Sequence, residues 1–578
     1  MTTSEIVPLV AIALVALISA MIGFLGVRVT RSTSDFLVAS RTVKPLTNAS
    51  AISGEYLSAA SFLGIGGVII ATGADGLWYP VSFVVGYLAL QLFVAAPLRR
   101  SGAYTVPDFA EARLSSPRLR QFCALTVLLI GWLYLLAQMQ GAGMALTALT
   151  SLPTWVGVVA TGVVVLLTVL GGGMRSITFV QAFQFWIKVA AVAVPLAALF
   201  SLFLSSGAPR PAGPVFETET TVTVHAGVGL NFASPVNIDA YGVVDGVRVD
   251  GPHNMVRGVH DIDNGTRLVF PAGAAVPEPV GMTPDESWLD PSAGPLRLLE
   301  IYSIMVAGFF GTMGLPHVLV RFYTNEDGRA ARRTTVLVLL MIGTFYLLIT
   351  LLSYMSRHLV PQVLLQSRAD AAVLLVPTAA FGDSAVGWGL AGLVAAGTAA
   401  AFLATSSGLV VSLAGVLFTD VLPGRVRNFR LATALATVVP LSVGLTTTRL
   451  EFNLLVPLAF AVAASTFCPL LILGIWWRGL TAAGATTGVA VGGLLSGAAS
   501  IASLYVPVPD NWIGVLANRP ALVTAPLAFA VTVVVSKLTR ANRPSDVDAV
   551  LLQLHAPERL GLGVDRLTHQ RTDGPELS

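Results

Sequence analysis

Residues Gly308-Phe-Phe-Gly-Thr-Met-Gly-Leu-Pro-His-Val-Leu-Val-Arg-Phe-Tyr323 decide how the rest of this chain is read. The stretch lies inside a long apolar segment, yet it makes a poor continuous helix. Gly308, Gly311 and Gly314 loosen the backbone, and Pro316 lacks an N–H and clashes one turn back. In hydrocarbon, backbone groups freed by such a break persist only where they face protein or a water-filled cavity. Free N–H groups and positive half-helix ends suit an anion there, and free carbonyls suit a cation. A kinked helix with glycines for close packing is the plainer reading of the same residues.

Composition places the whole chain in a membrane. Hydrophobic residues make up 54% and charged residues 11% of the 578, and the mean hydropathy is +0.77, far from an ordinary soluble chain. The net charge of +3 carries no nucleic-acid signal, because the arginines cluster at the ends of apolar segments. Cys123 and Cys468 lie in or beside such segments, without metal-ligand spacing or a disulfide framework. No motif assembles a Ser/His/Asp, metal or paired-carboxylate constellation, so an enzyme is not expected.

Outward from the broken stretch, apolar segments predict thirteen spans, near 6–27, 48–73, 77–98, 121–149, 154–174, 178–205, 297–319, 334–356, 385–418, 429–448, 452–476, 480–504 and 520–537. The first is long enough to span a bilayer and has only Glu5 before it, unlike a signal peptide. Arg28, Arg31, Arg41 and Lys44 follow it, and every second connection thereafter is arginine-rich. The positive-inside rule then puts the N-terminus outside and the C-terminus in the cytoplasm of a cell-membrane protein. The chain divides into a transmembrane part (1–205), an extracytoplasmic insert (206–296), a second transmembrane part (297–538) and a cytoplasmic tail (539–578). Alternating runs such as Thr221-Val-Thr-Val224 and Thr266-Arg-Leu-Val-Phe270 predict β-hairpins in the insert. Its polar composition suggests a peripheral module, dispensable for the membrane part. His225, His253 and His260 lie there with no metal spacing, as solvated loop residues. Val547 to Leu554 read as a short helix in the tail.

Gly311-Thr-Met-Gly-Leu-Pro-His-Val-Leu-Val-Arg-Phe322 resembles a motif of the sodium/solute symporter family, in particular its acetate and monocarboxylate branch. Ser53-Gly-Glu-Tyr-Leu-Ser-Ala-Ala-Ser-Phe-Leu-Gly64 is similar to that branch's first broken helix. Leu98-Arg-Arg-Ser-Gly-Ala-Tyr-Thr-Val-Pro-Asp108 and Gly171-Gly-Gly-Met174 with Val180-Gln181 resemble its loop and helix-start patterns. The likeness runs over about 6–540 except the insert. It implies an all-α, LeuT-like fold of inverted five-helix repeats, with spans two and seven broken and the first and last two spans peripheral.

The implied function is a cation-coupled symporter that imports acetate, propionate or pyruvate by alternating access. Proline or another small solute on the same fold is the alternative. A reading of another class is a membrane sensor that uses the insert as receptor, and uptake in proteoliposomes separates the two. Neither an organic cofactor nor a nucleic acid nor an obligatory protein partner is implied.

Span two carries Ser50, Ser53, Gly54, Glu55, Tyr56, Ser58 and Ser61, a polar density that suits a cavity or a packing seam. The substrate site would lie between the two breaks, lined by Tyr56, Ser58, Ala59 and Ser61 with Gly311, Thr312 and Gly314. Gln138 and Gln140 of span four add amides. No arginine is expected at mid-membrane, so a carboxylate would rest on N–H groups and hydroxyls. The resemblance assigns sodium to the carbonyls of Gly54, Leu57 and Ala401 and the hydroxyl of Thr405. Where the family pattern has a first hydroxyl this chain has Ala404, with Ser406 as a substitute. Coupling residues are Glu55, which could instead only pair with an inside-loop arginine, and Gln181 and Lys188, seven residues apart on one face of span six. Lys188 sits about 15 Å into the membrane by helical rise. Its ammonium could pair with Glu55, or occupy the cation site and make H+ rather than Na+ the coupling ion.

Overall fold

The computed structural model describes residues 3–25, 43–150, 152–206, 215–216, 218–283, 288–289, 294–321, 328–360, 362–421, 426–446, 452–505, 511–556 and 560. Arg28, Arg31, Arg41 and Arg425 lie outside them, as do the side chains of Arg175, Arg329, Arg332 and Arg427.

The fold is a helical membrane bundle. Twelve helical stretches among the described residues are long and apolar enough to cross a bilayer. One of them, Ala60–Arg100, turns at Gly73–Leu77, where Gly73 has φ +59. Its two limbs are the second half of span 2 and span 3. Span 1 is Thr3–Leu25. Span 2 is Pro45–Tyr56, a break, a π-turn at Ala60–Gly64 and then Ile65–Thr72. Span 3 begins at Trp78–Leu90 and span 4 is Pro117–Leu149. Spans 5 and 6 form one helical run, Thr154–Ser206, with apolar stretches Thr154–Gly171 and Ser176–Ser205. The loop expected at 175–177 is thus helical.

Span 7 is Pro295–Gly314 and Pro316–Val320, parted at Leu315. Spans 8 to 13 are Gly328–Leu359, Ala385–Val416, Val426–Thr446, Phe452–Trp476, Ala482–Tyr505 and Ala521–Leu538.

Span 9 and span 11 form the centre, 94% and 89% buried over their most apolar windows, against 22% for span 1. Span 9 earns that place by its alanines, glycines and hydroxyl residues, which let backbones approach where lipid supplies no hydrophobic drive. Spans 12 and 13 pack on each other and on span 11. A short apolar helix that the sequence reading missed, Ala369–Phe381, lies against the second half of span 2. Gly66 and Gly67 make room for it, since a Cβ at either would overlap Val373 or the Ala369 carbonyl.

The described arginines of the connection between spans 3 and 4 tie that connection to spans 9 and 11 and to the tail. Arg113 Nε donates to Gly474 O at 2.8 Å, and Arg120 pairs with Glu111 (2.6 Å) and Asp420 (2.5 Å). The tail helix, Val547–His555, docks there through Arg100 Nη1 to Leu554 O, 3.3 Å. Thr105 caps the adjacent helix Val106–Leu114 by accepting from Asp108 N, while Asp108 Oδ2 accepts from Tyr104 N.

The insert is a seven-stranded antiparallel sheet: β1 Thr220–Thr223, β2 Val228–Phe232, β3 Val236–Val244, β4 Val247–Met255, β5 Gly258–Ile262, β6 Arg267–Phe270 and β7 Glu278–Pro279. The spatial order is β1-β6-β3-β5-β2-β7, with β4 on β3. The two runs read as hairpins instead pair with each other, Thr221 opposite Val269. The tight hairpin is β3–β4, turning on Asp245-Gly246 with φ +52 and +75, as a type I′ turn requires. His260 is not a solvated loop residue: it is buried in β5, with Nδ1 2.6 Å from Asp245 and Nε2 2.9 Å from Val256 O.

The insert is also strapped to span 2. Trp288 Nε1 donates to Ile70 O (3.1 Å), Ala74 N to Trp288 O (3.0 Å) and Thr283 N to Ala71 O (3.0 Å). Arg357 of span 8 donates to Thr283 O at 3.1 Å.

Candidate functional site

Span 2 breaks because its backbone hydrogen bonds change partners. Leu57, at φ −74 and ψ 79, leaves the helical region, and Ser58 N–H turns to Tyr56 O, 2.8 Å away. An unbroken helix would send that N–H to the Gly54 carbonyl, so the carbonyl is released. Span 7 breaks at Leu315 (ψ 114), the residue before Pro316. Its glycines serve close packing as well: a Cβ on Gly311 would lie 2.7 Å from Phe460 O, and one on Gly314 would overlap Ala463 O.

The hydroxyls around the break meet partners from four other spans. Tyr56 Oη lies 3.0 Å from Thr312 Oγ1 and donates to Phe83 O at 3.1 Å. Tyr134 donates to Ser58 (3.1 Å), and Ser61 lies 3.0 Å from Tyr346 Oη. Phe83 and Phe460, ring centroids 5.0 Å apart, close the group on one side. A cavity of about 230 Å³ adjoins it, lined by Ala60, Gly64, Phe83, Gly308 and Phe460 and reaching Arg519. Ala59 is buried at the break.

The two glutamines part company. Gln138 lies four residues after Tyr134, on the same face of span 4, fully buried with neither amide atom hydrogen-bonded. Gln140 faces span 10 instead, donating to Gly444 O at 2.8 Å, and so stands outside the hydroxyl group.

At the other side of the break the charged residues assemble. Arg113 and Arg357 are buried, and so is Arg321, just beyond the predicted end of span 7. Its guanidinium pairs with Glu55 Oε2, donates to Gln181 Oε1 and reaches Thr178 Oγ1 at 3.2 Å. Gln181 passes the link on by donating to Ala404 O, 2.8 Å. Glu55 thus pairs with Arg321, not with Lys188. The Lys188 ammonium, fully buried, donates to Gly54 O and to Leu57 O, the latter at 2.7 Å.

These are two of the carbonyls that the resemblance assigns to sodium. The Thr405 hydroxyl donates to Glu55 O at 2.8 Å, and Ser406 Oγ is buried without a hydrogen-bond partner. Ala401 is buried in the same turns of span 9. An oxygen cage for a hard cation needs several free ligands. With two carbonyls already holding an ammonium and a methyl at Ala404, this arrangement does not fit a sodium ion beside Lys188.

The model of the Sodium:solute symporter family matches residues 36–222 and 291–492, on either side of the sheet. The chain belongs to the sodium:solute symporter family. Within this family it is 29% identical to an uncharacterised symporter, YwcA, of Bacillus subtilis (strain 168), over 88% of this chain and 90% of that one. It is also 29% identical to a monocarboxylic acid transporter of Corynebacterium glutamicum, over 93% and 92%. Among solved structures, a substrate-bound, outward-open Na+-coupled sialic acid symporter superposes with a TM-score of 0.63 at 12% identity, covering 92% of this chain and 98% of that one. That likeness shows the fold, which is LeuT-like.

Tyr134, Tyr346, Phe83, Phe460 and Arg321 were missed as site residues. The tyrosines carried a signal: a phenol in mid-span requires a partner. Arg321 was visible in the quoted motif, but nothing in the sequence says that its side chain folds back onto span 2.

Proposed function

We propose that this symporter imports a short monocarboxylate, such as acetate, propionate or pyruvate, together with a cation, by rocking around the paired breaks of spans 2 and 7. The observation that carries the reading is Gln138, a buried amide with no hydrogen-bond partner, one turn from the Tyr134–Ser58 hydroxyl pair. An unpartnered amide in a membrane interior favours a polar ligand. The Ser58 hydroxyl, which accepts from Tyr134, keeps its own proton as a neutral donor for a single carboxylate, and the Ser61–Tyr346 pair adds a second hydroxyl group beside it. Buried Arg321, beside the break of span 2, is already paired with Glu55, which disfavours a dianion. The monocarboxylic acid transporter among the relatives supports the substrate class.

Uptake of radiolabelled acetate and pyruvate into proteoliposomes tests this, with sodium and pH gradients imposed separately and protein-free liposomes as baseline. Saturable uptake above that baseline, competed by propionate and not by proline, is expected. Uptake of proline alone would move the substrate class, and no uptake of any solute would favour the sensor reading.

A further inference from the structure

Lys188 is the buried cation that the transport cycle above leaves unused. It stands on span 6 one turn beyond Phe185, whose Cβ approaches the position of a Cβ on Gly54. Gly54 itself has no room for a side chain, because the Gln181 carbonyl occupies that space. Span 6 is therefore pressed against the break of span 2, and the lysine stem needs little reach to place its nitrogen on the released carbonyls. A buried ammonium must find acceptors, since its desolvation is costly. Here it finds Gly54 O and Leu57 O. The Glu55 carboxylate adds an opposing charge from the same turn.

The same position would serve a sodium ion in like manner: one positive charge, held by carbonyls of an unwound helix, fastening span 2 to its neighbours. The two cations exclude each other, because both would sit against the same two carbonyl oxygens and two positive charges in one buried position repel. Span 9, which would complete the cage, offers a methyl at Ala404, whose carbonyl is taken by Gln181, and the Thr405 hydroxyl is turned to Glu55 O.

We propose that the Lys188 ammonium is a tethered cation that replaces sodium at the break of span 2, so that substrate binds without sodium at that position. The proposal rests on the monocarboxylate reading for its substrate and on geometry for the cation. Whether a sodium or a pH gradient drives uptake is read by the two separate gradient arms.

The test uses purified full-length protein in detergent, in sodium chloride or choline chloride of equal ionic strength. Pyruvate affinity and thermal stability are measured for the parent, Lys188→Ser and Lys188→Met. The parent is expected to bind pyruvate equally in both salts, within about twofold, and sodium should not raise its melting temperature. Lys188→Ser opens the position and supplies an oxygen. Its pyruvate affinity should drop at least about tenfold in choline and recover in sodium, and sodium should raise its melting temperature as a ligand does. Lys188→Met fills the space without charge and should be weak in both salts. Pyruvate binding by the parent that requires sodium overturns the proposal. So does a Lys188→Ser variant that matches the parent in both salts. Should the Ser variant not fold, the parent comparison in choline decides alone. If no monocarboxylate binds in any salt, the substrate reading fails, while the sodium effect on melting temperature still decides the tether.

Discussion

Gln138 and the Glu55–Arg321 pair show how opposite burdens are carried by single buried residues. The Gln138 amide is buried with both ends unsatisfied, which costs stability in the empty protein. Gln138→Leu should therefore raise the melting temperature, by an equivalent of about 1–3 kcal/mol, while weakening monocarboxylate affinity. A fall in stability with affinity unchanged would make the amide a packing element. Glu55 and Arg321 pair through Glu55 Oε2, with Gln181 and Thr178 also accepting from the guanidinium, while Glu55 Oε1 has no hydrogen-bond partner. Breaking such a pair from one side leaves a bare buried charge and costs about 3–5 kcal/mol. Glu55→Gln and Arg321→Met should each destabilise on that scale, and the double variant should recover much of the loss. A thermal-unfolding double-mutant cycle reads the coupling; simple additivity would mean that the two side chains act independently.

Individual elements meet through glycine. Span 7 reaches span 11 because Gly314 presents no Cβ to the Ala463 carbonyl, while the chain breaks one residue later at Leu315. Gly314→Ala should push the two helices apart, destabilise by about 1–3 kcal/mol as overpacking does, and lower uptake. Uptake and melting temperature both unchanged would show that the helices have slack there. In the sheet, the hairpin turn places Asp245 beside His260 of the neighbouring strand. Burial works against both charges. Their hydrogen bond and mutual attraction outweigh it, holding His260 above its ordinary value and Asp245 below its own.

The signs set a window. The Asp245 contribution is present above the ordinary carboxylate pKa and is lost as pH falls through its depressed value. The His260 contribution is present below the ordinary histidine pKa and is lost as pH rises through its raised value. The sheet should thus melt at a lower temperature as pH rises past neutrality, and Asp245→Asn should flatten that slope. Calorimetry of the full chain across this range checks it; an unchanged slope in the variant would remove the pair as its cause.

For the molecule as a whole, the question is whether the insert is a passenger. Its sheet has its own core of Leu230, Phe232, Leu268 and Phe270, joined by Leu365 from the membrane part. Its trailing strap is another matter, since Thr283 and Trp288 hold the C-terminal end of broken span 2. Span 2 must shift if the protein rocks around its break, so the strap bears on transport more than the sheet does. Replacing residues 218–279 by a short Gly/Ser linker should leave apparent affinity within about threefold. Trp288→Ala should change uptake while the sheet stays folded. Equal loss from both variants, with normal membrane insertion, would make the sheet itself part of the gate.

What the sequence determined by itself was everything that depends on local chemistry and spacing. Apolar run length marked the thirteen spans, because hydrocarbon thickness sets a minimum stretch. The charge pattern implied an orientation and Pro316 marked one break, while the other was implied by the resemblance of Ser53–Gly64 to a family motif. The Asp245-Gly246 hairpin is legible too, because its turn residues announce it. Tertiary structure alone decided who meets whom. Gln138 and Gln140 are two residues apart, yet one is unpartnered near the hydroxyl group and the other binds span 10, because helical rotation separates their faces by about 200°. Arg321 meets Glu55 across 266 positions of sequence, and Lys188 meets Leu57 across 131. Long-range partners of this kind follow from the packing of helices already formed, and in a membrane every buried charge must find one.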